Sequence, residues 1–112
     1  MNMDKFEVKL YRNSQGKDII KEYIYKQETY VIGKILHLIQ ALEIEGPFLR
    51  MPYTKKITPT IFELRSTGSV SIRILYASNK NIFYILNIFI KKTKKTPMKE
   101  IKLALERLNQ II

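Results

Sequence analysis

Residues 82–97, which read IFYILNIFIKKTKKTP, organise the chain. The run from Ile82 to Ile90 is apolar or aromatic except for Asn87, a pattern that predicts a strand buried on both faces. Four lysines occupy five positions after it, at 91, 92, 94 and 95. Thr96 and Pro97 are residue types typical of a helix N-cap and a first helical position, so they predict the start of the last helix. A core strand is therefore predicted to end in a dense cationic segment.

Three elements are predicted before the middle of the chain. Alternating apolar and polar residues at 6–11 predict a half-buried strand. An apolar stripe at 19–24 predicts a first helix, capped by either Ser14 or Asp18. The 3.6-residue period of residues 28–45 predicts a second helix, which Gly46-Pro47 ends. Residues 48–59 are predicted to be irregular because prolines restrict this segment.

The second half alternates strand and turn signals. Residues 61–65, 70–76 and 82–90 predict three strands separated by turns at 66–69 and 78–81, which together make an antiparallel meander. A final helix with one apolar face follows. The predicted fold is a single α+β domain over residues 1–112. An N-terminal strand and a two-helix hairpin pack on a small, mainly antiparallel sheet with a C-terminal helix.

Positive charge is concentrated in the second half of the chain. The formal net charge is +10, and residues 1–49 hold seven Lys/Arg against seven Asp/Glu. The whole excess therefore lies in residues 50–112. One-sided charge attracts polyanions, so the composition favours a phosphate-bearing partner. The alternative is a solvated basic surface.

Several classes of protein are disfavoured. The chain has no cysteine, which excludes disulfides and thiol chemistry and suits a reducing compartment. Its start lacks an apolar signal core, and its longest apolar run is far shorter than the roughly 20 residues of a membrane helix. The single histidine, His37, has no partner at a metal-ligand spacing. We expect a cytoplasmic protein with no membrane anchor and no metal site.

Strand parity brings charged side chains to one face. Alternate residues of a strand share a face, so Glu63 and Arg65 lie together, and Arg73 points away from the main apolar face of its own strand. Lys91 has the parity of Asn87 in the third strand. This pattern allows Arg65, Arg73 and Lys91 to converge. Inward-facing arginines in mid-strand indicate an ion pair or a bound anion, and for Arg65 the ion-pair candidates are Glu63 and Glu100.

Three motifs carry a family resemblance. They are Glu63-Leu64-Arg65, Ile72-Arg73-Ile74-Leu75-Tyr76, and the string from Ile88 to Pro97 with its Lys-Lys-Thr-x-Lys-Thr-Pro core. In order and spacing, residues 61–106 resemble the phage-derived HigB-type branch of the RelE/ParE toxin superfamily. The resemblance implies a RelE-like fold and a toxin encoded beside a helix-turn-helix, HigA-like antitoxin. It also implies an enzyme that enters the ribosomal A site and cleaves mRNA without a metal or other cofactor.

Candidate roles follow from the chemistry of RNA cleavage through the ribose 2′-OH. Arg65 and Arg73 suit stabilisation of the phosphorane, because a guanidinium binds two phosphoryl oxygens and stays charged. A lysine crowded by cations has a lowered pKa, which suits proton transfer. The candidates for proton transfer are Lys91 and Lys92, or Lys55 and Lys56, with Glu63 as a base if it is not locked to Arg65. Lys55, Lys56, Lys94 and Lys95 are the candidates for gripping RNA.

The chain departs from the family pattern at two places. The family often has histidine ahead of the Phe-x-Lys-Lys string, where this chain has Asn87. It often has Gly-Arg and Tyr-Arg where this chain has Gly68-Ser69 and Ile72-Arg73. These departures argue against proton transfer by histidine or tyrosine.

Two other functions compete with mRNA cleavage. A ParE-like relative of the same fold inhibits gyrase without cleaving RNA, and a plain RNA-binding module would carry the same charge. Against the second, the strands lack the aromatic pattern of RNA-recognition sheets, and Tyr76 and Phe89 are expected in the core.

Overall fold

The computed structural model describes residues 5–50, 53–66, 68–92 and 94–112. The elements follow in the order β1 (Glu7–Leu10), α1 (Ile19–Tyr25), α2 (Thr29–Glu45), β2 (Thr54–Lys56), β3 (Phe62–Arg65), β4 (Ile72–Asn79), β5 (Ile82–Ile90) and α3 (Met98–Ile111), with a 3₁₀ turn at Gly46–Phe48. The predicted α+β class, with an N-terminal strand, two helices, a sheet and a C-terminal helix, is confirmed. Thr67, within the predicted turn at 66–69, lies outside the described residues.

The five strands form one mixed sheet in the order β1-β5-β4-β3-β2. β3, β4 and β5 pair antiparallel, which confirms the predicted meander. β1 joins the other side of β5 in parallel, so β5 is flanked on both edges. β5 is therefore an interior strand of the sheet, and both of its faces are covered. This explains why its residues are apolar on both faces.

Strand β2 lies in the segment predicted to be irregular, and that prediction was wrong for residues 54–56. β2 has three residues and pairs antiparallel with β3, with Lys55 opposite Glu63. It is an edge strand, so it needs ladder hydrogen bonds on one side only. A short strand next to prolines leaves no periodic signal in the sequence.

The β4–β5 hairpin contains one irregularity. Leu75 pairs with Asn87 but Tyr76 pairs with Ile85, so one extra residue bulges from β5 at this point. A bulge reverses the parity of the residues beyond it. Arg73 pairs with Phe89 on β5 and with Arg65 on β3, and both pairings lie on one side of the bulge, where the register is regular. The parity that aligns the charged residues is therefore kept.

The helices cover both faces of the sheet. One face carries Thr54, Phe62 and Tyr76, which line a cavity together with the 3₁₀ turn that follows α2. Helix α3 lies on the other face, where the Asn87 amide donates to the Glu100 carbonyl at 3.3 Å. The core that results includes these fully buried side chains: Ile35, Leu42, Ile61, Leu64, Ile72, Ile74, Ile85 and Leu86.

Arg107 connects the C-terminal half of α3 to the sheet. Arg107 Nη1 donates to the Leu86 carbonyl at 2.7 Å. The same guanidinium lies over the ring of Tyr11, 5.2 Å from its centroid, and the Tyr11 hydroxyl donates to Gln110. This cation–π contact links the helix to the end of β1.

One of the two alternatives predicted for the cap of α1 is confirmed by position, and the predicted cap of α3 is wrong by one residue. Asp18 is the N-cap residue of α1, but its side chain makes no capping bond and accepts from Arg12 Nε at 2.8 Å instead. Pro97, not Thr96, is the N-cap of α3, with extended backbone angles. The Thr96 hydroxyl is used elsewhere, in a contact with Glu63.

Within the described residues, no helix has both the length and the apolar character needed to cross a membrane.

Gly46 is the glycine that the packing requires. Its φ is +53°, and a Cβ built there would lie 2.4 Å from a ring carbon of Phe6. The Phe6 ring also contacts Phe83 edge to face, with centroids 6.1 Å apart. The chain leaves α2 through this point, so the close approach of Gly46 to Phe6 fixes how α2 meets the sheet.

We expect Gly46→Ala to lower the free energy of unfolding by roughly 2–4 kcal/mol, because it adds both backbone strain and overpacking. Gly16→Ala is the matched control. Gly16 also has a positive φ, +78°, but a Cβ there meets nothing within 4 Å, so only a strain cost of about 1 kcal/mol is expected. Urea unfolding of both variants measures the difference, and equal losses would contradict the role given to Phe6.

Candidate active site

Sheet register brings four predicted site residues to one face. Arg65 lies opposite Arg73, and Arg73 lies opposite Phe89 in the next strand. Glu63 lies between Lys55 on β2 and Leu75 on β4. Residues directly opposite each other project to the same face of a sheet. Lys55, Glu63, Arg65 and Arg73 therefore share a face.

A buried carboxylate holds the two arginines together. Glu63 Oε1 lies 3.6 Å from Arg65 Nε and 3.6 Å from Arg73 Nε. The Glu63 side chain is only 1% exposed, and it also accepts a hydrogen bond from the Thr96 hydroxyl. One negative charge thus serves two guanidinium groups, and the arrangement keeps a positive excess. Glu63 is locked to both arginines, not to Arg65 alone.

Arg73 has one unused donor in this buried setting. The residue is 7% exposed, and its Nη1 donates to the Ile72 carbonyl at 3.0 Å. Within the described part of the chain, its Nε finds no hydrogen-bond acceptor. Burial lowers the pKa of Arg73, Glu63 raises it, and Arg65 lowers it further. A buried N–H without an acceptor is costly, and Glu63 Oε1, 3.6 Å away, compensates the charge of this group without forming a hydrogen bond to it.

Lys91 completes the site from the end of β5. Its backbone N–H donates to the backbone carbonyl of Ser71 at 2.7 Å, which extends the β4–β5 ladder past Ile90. Partial burial lowers the pKa of Lys91, and so do the nearby charges of Arg73, Arg65 and Lys55, while Glu63 opposes them. We call Lys55, Glu63, Arg65, Arg73 and Lys91 the cationic cluster. The predicted convergence of Arg65, Arg73 and Lys91 is present in the structure.

The remaining predicted residues lie outside the cluster. Lys56 pairs with Phe62, so it projects to the opposite face from Lys55. Lys92, Lys94 and Lys95 are exposed on the connection between β5 and α3. They form a cationic margin next to Lys91, at the place where a polyanion would pass over the cluster.

Thr96 is a site residue that the sequence reasoning missed. Its hydroxyl donates to Glu63, so it is one of three groups that hold the carboxylate. The sequence signal was misleading because threonine before proline is also a common helix start. Thr96 and Glu63 are 33 positions apart in the chain, so no local sequence pattern predicts this contact.

The described residues include no group of three or more His, Cys, Asp or Glu side chains arranged to hold a metal ion. His37 is exposed on α2. The cluster itself presents fixed positive charges around a buried anion. Such charges bind a phosphate and stabilise a phosphorane.

Residues 22–109 match the family of Gp49-like phage-derived proteins (DUF891). This match covers most of the chain, which therefore belongs to that family and, with it, to the RelE/ParE-like toxin superfamily. Membership indicates a toxin of a toxin–antitoxin system and hence an antitoxin partner. The superfamily part of the sequence resemblance is confirmed, and the HigB-type branch stays a prediction. No curated protein matches the chain.

We expect Glu63→Gln to lower the free energy of unfolding by about 3 kcal/mol, because it leaves the buried Arg73 without a counter-ion. The double variant Glu63→Gln/Arg73→Met is expected to recover at least about 1 kcal/mol of this loss, since no buried charge is then left uncompensated. Chemical denaturation of the single and double variants measures the coupling.

Glu7→Gln is the control for this cycle. Glu7 pairs with Lys9 at 3.7 Å on an exposed strand, so its loss is expected to cost less than about 1 kcal/mol. Additive effects of Glu63→Gln and Arg73→Met would show that the carboxylate does not hold Arg73.

Proposed function

We propose that the protein is a HigB-type toxin that cleaves mRNA in the ribosomal A site and so stops translation in the cytoplasm. The observation that carries the proposal is the cationic cluster: two arginines held on one buried carboxylate, with Lys91 beside them. Family membership supports the toxin part of the proposal. The cluster supports a reaction at a phosphate.

The proposed reaction is transesterification. The 2′-oxygen of a ribose attacks the adjacent phosphorus, the bond from phosphorus to the 5′-oxygen breaks, and the products are a 2′,3′-cyclic phosphate and a 5′-hydroxyl. Negative charge grows on the non-bridging oxygens in the transition state. Arg65, the more exposed of the two arginines, is assigned to bind these oxygens. Arg73, which is buried, is assigned to add positive charge to the site.

Lys91 is assigned as the proton donor to the departing 5′-oxygen. Its ammonium begins with a proton, and neighbouring cations make that proton easier to lose. Glu63 is assigned to hold Arg65 and Arg73, since its oxygens are already engaged by three groups. We assign acceptance of the 2′-hydroxyl proton to a group of the ribosome–mRNA complex, which accounts for a requirement for the ribosome.

The exposed lysines are assigned to RNA. Lys92, Lys94 and Lys95 border the cluster on the β5–α3 connection, and Lys55 is an exposed member of the cluster on β2, so phosphates of mRNA and rRNA are their proposed partners. Lys56, on the other face of β2, is proposed to contact RNA away from the cleavage point. A HigA-like helix-turn-helix antitoxin with an acidic segment is the proposed inhibitor, because it would complement this surface.

We expect Arg65→Gln and Arg73→Lys each to lower the rate of ribosome-dependent mRNA cleavage by about 100-fold, because each removes one guanidinium from the transition state. Lys9→Gln is the control, since Lys9 lies on β1 at the opposite edge of the sheet. Primer extension on mRNA from ribosomes programmed in vitro, together with growth after induction, measures the effect.

The same experiment separates the competing functions. Full cleavage by both arginine variants would refute the assigned site. Growth arrest with intact mRNA and altered DNA supercoiling would refute RNA cleavage and support a gyrase inhibitor.

The rate of cleavage is expected to fall as the pH rises through the pKa of Lys91, because a general acid must be protonated. Lys91→Arg keeps its proton throughout the accessible range, so this variant is expected to lose the alkaline fall. Arg65→Gln removes one of the cations that lower the pKa of Lys91, so the fall is expected at higher pH than in the wild type. Single-turnover rates from about pH 6 to about pH 9 test both expectations.

A rate that rises with pH in the wild type and is flat in Lys91→Arg would show that Lys91 accepts rather than donates the proton. An unchanged profile in Lys91→Arg would remove Lys91 from the chemistry.

A further inference from the structure

A groove runs along helix α2, next to the cationic cluster. Its upper part is a cavity of about 470 Å³ between α2, Tyr53 and the end of β3, and its lower part is a cavity of about 380 Å³ between α2, residues 48–50 and Tyr53. His37, Leu38 and Tyr53 line both parts, so the two cavities lie next to each other. We call this feature the α2 groove. Each part falls in the size range of about 300–1,000 Å³ typical of ligand sites.

Cations outnumber acids in the α2 groove. Lys34, Arg50 and Arg65 line it, and Glu45 is the acid among its described lining residues. The Lys34 ammonium reaches across to the turn after β3, where it lies 3.4 Å from the position of a Cβ on Gly68. Lys34 on α2 and Arg65 at the end of β3 therefore line the same cavity, and cations in a groove attract a phosphate backbone.

Aromatic side chains are exposed along the same groove. Tyr30 is 54% exposed and Tyr53 is 52% exposed, and Phe48 lines the lower part. Large apolar rings left open to water indicate a binding surface when they line a concavity. In proteins that bind single-stranded nucleic acid, unpaired bases stack on aromatic rings that line a positively charged groove.

Gly33 leaves the upper part of the groove wide. It lies inside α2 and lines the upper part of the groove, and a Cβ built there meets no atom within 4 Å. Glycine weakens a helix interior relative to alanine, and none of the described neighbouring groups requires its small size. The missing side chain leaves the backbone of α2 open to close approach from outside the protein.

We propose that the α2 groove binds single-stranded RNA next to the scissile phosphate, with bases stacked on Tyr30 and Tyr53 and phosphates between Lys34 and Arg65. The proposal rests on the proposed function for the identity of the RNA. Continuity decides the occupant: Arg65 belongs to both the groove and the cationic cluster, so one strand of RNA spans both. The positive lining and half-exposed rings also favour RNA over an apolar helix of a protein partner.

The first test measures affinity for a fluorescein-labelled single-stranded RNA of about 10 nucleotides by anisotropy, at one fixed salt concentration. Tyr53→Leu is expected to weaken binding about tenfold, because leucine fills space but does not stack. Tyr53→Phe keeps the ring and is expected to restore most of the affinity. Tyr25→Leu is the control, since Tyr25 is exposed on α1 and lies outside the groove.

The second test uses Gly33→Ala, which separates binding from stability. Alanine is expected to raise Tm by a few °C because it strengthens α2, and at the same time to weaken RNA binding several-fold because it narrows the groove. A higher Tm with unchanged RNA affinity would overturn the proposal. Wild-type RNA affinity in Tyr53→Leu with weakened binding of the antitoxin would overturn it in favour of a protein partner.

The two proposals fail in different ways. Binding is measured in a Lys91→Met background, which lacks the assigned proton donor and leaves the groove intact. Groove variants that bind RNA and cleave mRNA like the wild type would refute the α2 groove alone. A wild-type protein that binds RNA through the groove but leaves ribosome-bound mRNA uncut would refute the cleavage proposal alone.

Discussion

The geometry of the site depends on one buried carboxylate. Two guanidinium groups on neighbouring strands repel each other, and Glu63 is the charge that lets Arg65 and Arg73 lie opposite each other in the sheet. Because Glu63 is itself buried, it must be held by several partners, and Thr96 supplies one of them from the start of the α3 region. The same contact that satisfies the carboxylate therefore fixes the path of the chain as it leaves the sheet.

Positive charge in this protein has two different physical settings. In the cluster, Arg73 is desolvated, its Nε–H has no acceptor within hydrogen-bond distance, and Glu63 compensates its charge. On the β5–α3 connection and along α2, the cations are hydrated, and their contribution falls as salt rises. The first setting suits chemistry at one phosphate, and the second suits reversible attachment to a long polyanion.

Much of the fold could be read from the sequence, because periodicity reports burial. The period of two in β3 and β4 placed Arg65 and Arg73 on one face, and the 3.6 period located α2. What could not be read depended on register between distant segments. The pairing of Glu63 with Arg73 needs two strands aligned to the residue. The three residues of β2 depend on pairing with β3 and on the hydrogen bond between the Thr54 and Tyr76 hydroxyls. The α2 groove joins segments far apart in the chain, and the open space at Gly33 has no local signature.

The order of synthesis gives the Thr96–Glu63 contact a further meaning. β1 cannot pair in parallel with β5 until residues 82–85 have emerged, and the carboxylate that aligns the arginines is not fully held until Thr96 has emerged as well. Contacts between distant positions of a chain form late in folding. A nascent chain therefore has scattered cations but no assembled cluster. If the ribosome is the target, the protein is harmless to the ribosome that is making it for most of its own translation.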